Sequence, residues 1–384
     1  MKNYNEGIKI LGDERIIIKD DFTEPFITRE YLFTRIHEEI KAIMNYISLG
    51  SIEDVIKLYV ENYDKYKCDS GEKTSLKPVE PIGKYYFKRY SDKILELIKD
   101  LKGYVIIGYD SSYYNPRGHF IIDFILNNIG YYYERIGYGQ GGSGYHPYIA
   151  LIGSAEYDQE IIIKELESQL LNHLLKHVRN RFRNDKIFLF LDESLNLSFT
   201  YSWSSDKRKR YGERMKEELL ISLSQGVIPI GVFYTRAGDL VNGLECILSE
   251  QLPPLQDKHI FNRYLGRGAR SQLFEVRSRV LEEVGLSIYA FYLKIDEGNV
   301  IRVEFPIKAV EINGFEVVDD IHRLIFFDSI RNNGYSYVLS RSHEAAVLRY
   351  SDREGIEHMI TESLNIPLKY VYSRKESFKR RPIA

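Results

Sequence analysis

Tyr104-Val105-Ile106-Ile107-Gly108-Tyr109-Asp110-Ser111-Ser112 and, further on, Lys186-Ile187-Phe188-Leu189-Phe190-Leu191-Asp192-Glu193-Ser194-Leu195 decide how this chain reads. Each is a short apolar run that ends in an aspartate. Such runs, without polar alternation, mark strands buried on both faces. Between them, residues 119–126 and 131–136 read as two strands joined by turn chemistry at Asn127-Asn128. The stretch Gly137 to Gly144 reads as a mobile loop, since it lacks the Lys-Ser/Thr ending of a phosphate-binding P-loop. Residues 157–180 form a long helix with an apolar stripe. A charged helix over 206–224 leads to a strand at 227–234, then strands at 287–294 and 300–305 and a helix near 342–350. Strands, helix, strand, helix, strand predicts an α/β fold with a mixed sheet flanked by helices.

Upstream, apolar residues recur at helical spacing in 29–48, 52–60 and 86–101, with a polar loop over 67–81 that contains Pro78 and Pro81. The boundary is drawn between a mainly helical N-terminal region, residues 1–102, and a main domain, residues 103–384.

The composition is that of a globular chain, 44% hydrophobic and 28% charged over 384 residues. A net charge of −2 excludes a global basic field, so a polyanionic partner would need a local cluster. Basic runs stand at Arg179, Arg181 and Arg183, at Lys207 to Arg210, and at Lys379 to Arg381; solvated faces are the plainer reading of each. Cys68 and Cys246 are the only cysteines and read as free thiols, which excludes a thiolate zinc site and fits a reducing compartment. No apolar run reaches signal-peptide or membrane-span length, so we expect a cytoplasmic protein with no membrane contact.

An aspartate at the end of a buried strand stands at the rim of the core, where α/β sheets gather their ligands. Two such charges brought close repel unless a cation lies between them, and carboxylate oxygens are hard donors suited to Mn²⁺ or Mg²⁺. Asp110 and Asp192 are therefore candidate metal ligands; the plainer alternative is that each caps its following turn. A third acid would come from Glu165 or Glu167 on the intervening helix. Ile163, Leu166, Leu170, Leu171, Leu174 and Val178 share one face, and Glu167 falls within that stripe while Glu165 lies nearly opposite. A carboxylate in an apolar stripe is costly unless paired or coordinating, which selects Glu167. His343 alone would pass as an ordinary histidine.

Taken in order, these segments resemble the NurA family of nucleases. Tyr109-Asp110-Ser111-Ser112 and Leu191-Asp192-Glu193-Ser194-Leu195 match its two Asp-Gly-Ser-like motifs, and Lys164-Glu165-Leu166-Glu167 matches its helical glutamate motif. Arg270-Ser271, the segment Tyr292 to Pro306, Gly334-Tyr335-Ser336 and Ser342-His343-Glu344 match the later ones. Both motif glycines are replaced, by Ser111 and Glu193; Ser336 stands for a proline, and Arg236 for a frequent lysine. The resemblance implies an RNase H-like fold and a Mn²⁺-dependent DNA exonuclease and endonuclease, with Mg²⁺ as the alternative ion. It further implies a homodimer that works in DNA end resection and break repair with a HerA-like hexameric ATPase. Asp110, Glu167 and Asp192 would hold metal, His343 would orient or protonate at the scissile phosphate, and Tyr335 would contact phosphate or water. Arg270 and Arg236 would contact DNA. The alternatives are a catalytically weak or inactive module docked on an ATPase ring, or another RNase H-like nuclease.

Overall fold

A computed structural model describes residues 52–66, 74–116, 123–151, 158–234, 237–248, 252, 255–363 and 365. The described elements run α1 (Ile52–Tyr66), β1 (Ser75–Pro78), α2 (Ile94–Asp100), β2 (Val105–Tyr114), β3 (Phe124–Arg135), β4 (Gln140–Leu151), α3 (Gln159–Arg181), β5 (Ile187–Leu191), α4 (Ser205–Ser224) and β6 (Val227–Phe233). They continue with α5 (Asp239–Leu248), α6 (Asp257–Tyr264), β7 (Phe274–Arg277), α7 (Arg279–Val284), β8 (Ile288–Asp296), β9 (Asn299–Pro306), α8 (Ile307–Asn313), α9 (Glu316–Ile330), α10 (Tyr337–Ala346) and α11 (Tyr350–Ser363). The nine strands form one mixed sheet in the order β1-β7-β8-β9-β6-β5-β2-β3-β4, with β2, β5 and β6 parallel at its centre.

Successive residues of a strand face opposite sides, so a central strand feeds two cores. Ile187, Leu189 and Leu191 of β5 enter one core with Val105, Ile107 and Tyr109 of β2, beneath Leu171, Leu175 and Val178 of α3 and Met215 and Leu219 of α4. Phe188 and Phe190 enter the other, with Ile106, Ile228 and Ile230, against α9 and against Val338 and Leu339 of α10. The unbroken apolar runs of the sequence are thus strands covered on both faces.

The predicted turn at Asn127-Asn128 is absent. β3 runs straight through it, with Asn127 opposite Tyr113 and Tyr148, and Asn128 opposite Ser112 and Pro147. The glycine-rich stretch is likewise mostly strand: a short turn follows Arg135, and β4 begins at Gln140. Its glycines serve packing, because a Cβ on Gly142 or Gly144 would press on the rings of Tyr133 or Tyr131 across the pair. Ladder pairing of β3 with β2 and β4 outweighs the low strand propensity of Gly and Asn.

The predicted helix over 29–48 lies outside the described residues. The boundary at 102 does not separate two packing units, since β1 pairs with β7, and Tyr59, Tyr63 and Leu76 share a core with β2. Cys246 is disulfide-bonded, which overturns the free-thiol expectation and removes its support for a reducing compartment; the sequence holds one other cysteine, Cys68, outside the described residues. No helix of the described residues is long and apolar enough to cross a membrane.

Candidate active site

β2 and β5 run parallel with Tyr109 in register with Leu191, so Asp110 and Asp192 are each the next residue beyond a matched pair. Asp110 shares a face of β2 with Gly108, and across β3 the same face carries Gly130. α10 lies directly on these two glycines: a Cβ on Gly108 would enter the backbone at Val338, and one on Gly130 the backbone at Ser342 and Ala346. That close approach brings His343 to Asp110, with Nδ1 at 2.7 Å from Oδ2. Just ahead of the same helix, Tyr335 donates its hydroxyl to Asp192 Oδ2 at 2.6 Å. The site is an open rim, with the His343 side chain 65% exposed and that of Asp110 21%.

Charge is crowded there. Asp192 is held above the usual carboxylate range, first by partial burial and then by the neighbouring Asp110 charge, while the Tyr335 hydrogen bond works in the opposite direction. Aspartate oxygens in such repulsion, flanked by a phenol and an imidazole, are a donor set that fits a divalent cation.

Glu167 is at the same end of the sheet but on its other face. It accepts a hydrogen bond from Ser111 Oγ, and Ser111 points away from Asp110 because neighbouring strand residues alternate. Among the described residues, no three His, Cys, Asp or Glu groups are arranged as a metal-holding set. The distinction drawn on the helix appears as burial: the Glu167 side chain is 12% exposed, whereas Glu165 is 38% exposed on Arg214. Burial pushes the Glu167 carboxyl up to about 7 against the pull of Lys164.

Lys164 was not singled out in the sequence. It is buried, with Nζ at 2.9 Å from Glu193, 3.1 Å from Glu218 and 3.8 Å from Glu167. Its signal was available, three residues before Glu167 and therefore on the same helical face.

Arg270 is a correction. It is 2% exposed, forms a bidentate pair with Glu80 at 2.6 and 3.0 Å, and stacks on Tyr85, so it ties the segment before α2 to the sheet and offers no face to a phosphate. The same planar fork that suits phosphate here takes a carboxylate. Arg236 lies outside the described residues. Among the described residues, part of the basic runs is engaged within the chain: Arg179 donates to the carbonyls of Gln225 and Asp185, and Lys207 and Arg208 pair with Glu160 and Glu283. Arg210 lies 3.8 Å from Asp158, and Lys379 to Arg381 fall outside the described residues.

The NurA domain model matches residues 104–348. Among solved structures, the chain is similar to the NurA nuclease from Sulfolobus solfataricus, with 14% identity and a TM-score of 0.51 over 88% of this chain and 98% of that one. Its sheet between two helical layers is the RNase H-like arrangement expected from the sequence. Looser matches are a NurA solved with manganese (12% identity, TM-score 0.32, 71% of this chain and 94% of that one) and the catalytic domain of human endonuclease V (10%, 0.35, 82% and 99%). At those TM-scores neither bears on the fold. No curated protein matches the chain.

Proposed function

The chain belongs to the NurA family, and we propose on that premise that it is a metal-dependent deoxyribonuclease whose reaction takes place at the rim formed by Asp110, Asp192, Tyr335 and His343. The observation that carries the reading is the pairing of two aspartates that stand where the β2–β5 ladder ends, Asp110 within β2 and Asp192 just past β5, each hydrogen-bonded to a different proton-bearing group from the Tyr335–His343 segment.

Asp110 and Asp192 would hold the cation, Mn²⁺ or Mg²⁺, with Glu167, on the other face beside Ser111, as the proposed third acid. Such an ion, when bound, polarises a phosphoryl oxygen and makes water a better nucleophile near neutral pH. The chain's own groups supply the rest. His343 is fixed through Nδ1 by Asp110, which leaves Nε2 free to give or take a proton at the scissile phosphate. Tyr335 orients the Asp192 carboxylate through its hydroxyl and would contact the phosphate or a water. The exposure of His343 suits a polymeric substrate, which cannot enter a closed pocket.

Family membership also supports, as proposals, a role in DNA end processing and break repair, a homodimer, a HerA-like hexameric ATPase partner, and a cytoplasmic setting. The nuclease reading is tested on end-labelled single- and double-stranded DNA with Mn²⁺, Mg²⁺ or EDTA. We expect cleavage with a divalent ion and none with EDTA, and we expect Asp110→Ala and Asp192→Ala each to abolish it while keeping the wild-type melting curve. Near wild-type cleavage by either folded variant would remove the site; no cleavage by the wild type would favour an inactive docking module.

A further inference from the structure

Two buried carboxylates stand behind the rim without reaching it. Glu304 on β9 is fully buried; its Oε2 accepts from Ser194 Oγ at 3.0 Å and from the Leu195 N–H at 2.5 Å. Its Oε1 lies 2.7 Å from Arg302 Nε, an ion pair outside hydrogen-bond angles. Asp328 on α9 is also fully buried; its Oδ2 accepts from Ser336 Oγ and, at 3.4 Å, from the Val338 N–H. Its Oδ1 accepts from Arg331 at 3.1 and 2.5 Å.

The same device occurs twice. An arginine holds one oxygen, and the other oxygen takes a serine hydroxyl and a backbone N–H from the segment carrying a rim residue. Ser194 and Leu195 follow Asp192, and Ser336 follows Tyr335. The two rim residues then meet in the Tyr335–Asp192 hydrogen bond. The first segment requires an anchor on independent grounds. It ends at Leu197 with φ of 59°, a left-handed conformation unusual for leucine, and it rests on Gly231, where a Cβ would lie 2.7 Å from the Glu193 carbonyl. Gly231 is the register partner of Glu304, so loop and anchor sit on one rung of the sheet. The second segment has its own support, since the Ser336 hydroxyl also caps α10 through Leu339 and its N–H donates to Tyr234.

We propose that Glu304 and Asp328 are positioning residues for the site, Glu304 setting Asp192 and Asp328 setting Tyr335 from opposite sides of one hydrogen bond. This rests on the metal-dependent nuclease reading above. An amide of the same shape keeps one acceptor but turns an NH₂ donor toward either the arginine or the loop donors, so donor faces donor.

The experiment uses the full chain, with Mn²⁺ affinity by titration calorimetry, steady-state cleavage of end-labelled DNA, and melting temperature. We expect Glu304→Gln to weaken Mn²⁺ binding by about tenfold and to lower kcat by about 100-fold, with KM within about threefold. Asp328→Asn should lower kcat and Mn²⁺ affinity in the wild-type background and add nothing to Tyr335→Phe. If Glu304→Gln does not fold, Ser194→Ala removes one of the same contacts and should cost about tenfold in kcat. A purely structural role would lower the melting temperature, leave the folded protein with wild-type kcat and Mn²⁺ affinity, and add to Tyr335→Phe; that result overturns the proposal. A wild type that binds Mn²⁺ but cuts no DNA defeats the nuclease reading alone, because the Mn²⁺ measurements still decide on both anchors. A wild type that binds no Mn²⁺ overturns both.

Discussion

Asp110 and Glu167 stand at the same end of the sheet and are governed by opposite surroundings. Asp110 is open to solvent and touches His343, while Glu167 is enclosed and touches Ser111 and Lys164. An acid whose carboxyl is pushed up from 4.5 to about 7 holds its proton more tightly folded than unfolded. The folded state therefore gains stability as pH falls from about 7 toward 4.5, and above that window it carries a buried charge that Lys164 and Ser111 offset only in part. In EDTA, Glu167→Gln should melt at or above the wild-type temperature at pH 8, with the difference shrinking toward pH 5. We expect the same variant to lose most Mn²⁺-dependent cleavage, whereas Glu165→Gln matches the wild type in both measurements. Reversed phenotypes would remove Glu167 from the catalytic set. The periodicity of α3 was enough to distinguish these two acids. It could not show that Glu167 is separated from Asp110 by the thickness of β2, because a helical wheel gives a direction and no distance.

Between elements, the decisive contact is α10 on β2 and β3. Backbone approaches strand there because Gly108 and Gly130 have no side chain, and no rearrangement of a flexible group can make room for a methyl against main-chain atoms. Gly108→Ala and Gly130→Ala should each destabilise the fold by about 1–3 kcal/mol, the range for overpacking. Each should also lower cleavage at least about tenfold by withdrawing His343 from Asp110. Gly355→Ala is the control: it lies in α11 with nothing near a new Cβ, so it should leave cleavage unchanged and melt no lower than wild type. Wild-type cleavage by both core variants would show that the seating of α10 does not set the site. Gly108 was readable as part of a buried strand, but its partner helix begins beyond residue 330, and nothing local to either segment announces the contact.

At the scale of the molecule, the sequence supplies no global basic field, and among the described residues several basic side chains are paired within the chain. Lys207 and Arg208 meet carboxylates of their own chain, and the net charge is −2. A long polyanion would be better held by two copies presenting their rims together than by one such surface. We expect light scattering to give the mass of a dimer over a wide concentration range, and a HerA-like ATPase to co-purify with it. A mass of one chain throughout would overturn the dimer, and failure of a cognate translocase to co-purify would count separately against the partner.

The sequence by itself determined the two central strands and the inward turn of Glu167, since burial on both faces and helical periodicity are local patterns; it placed Asp192 at a strand end but not the continuation of β2 past Asp110 to Tyr114. It could not determine that Asn127-Asn128 and the Gln140–Gly144 part of the glycine-rich stretch are strand, because their conformation is set by partners on neighbouring strands. Nor could it assign Arg270, whose guanidinium suits phosphate and carboxylate alike until Glu80 is brought beside it. Tertiary structure alone joined Asp192 to Tyr335 and Asp110 to His343, pairs separated by 143 and 233 residues. Hydrogen bonds act over about 3 Å, and only packing across the sheet reduces such separations to that distance.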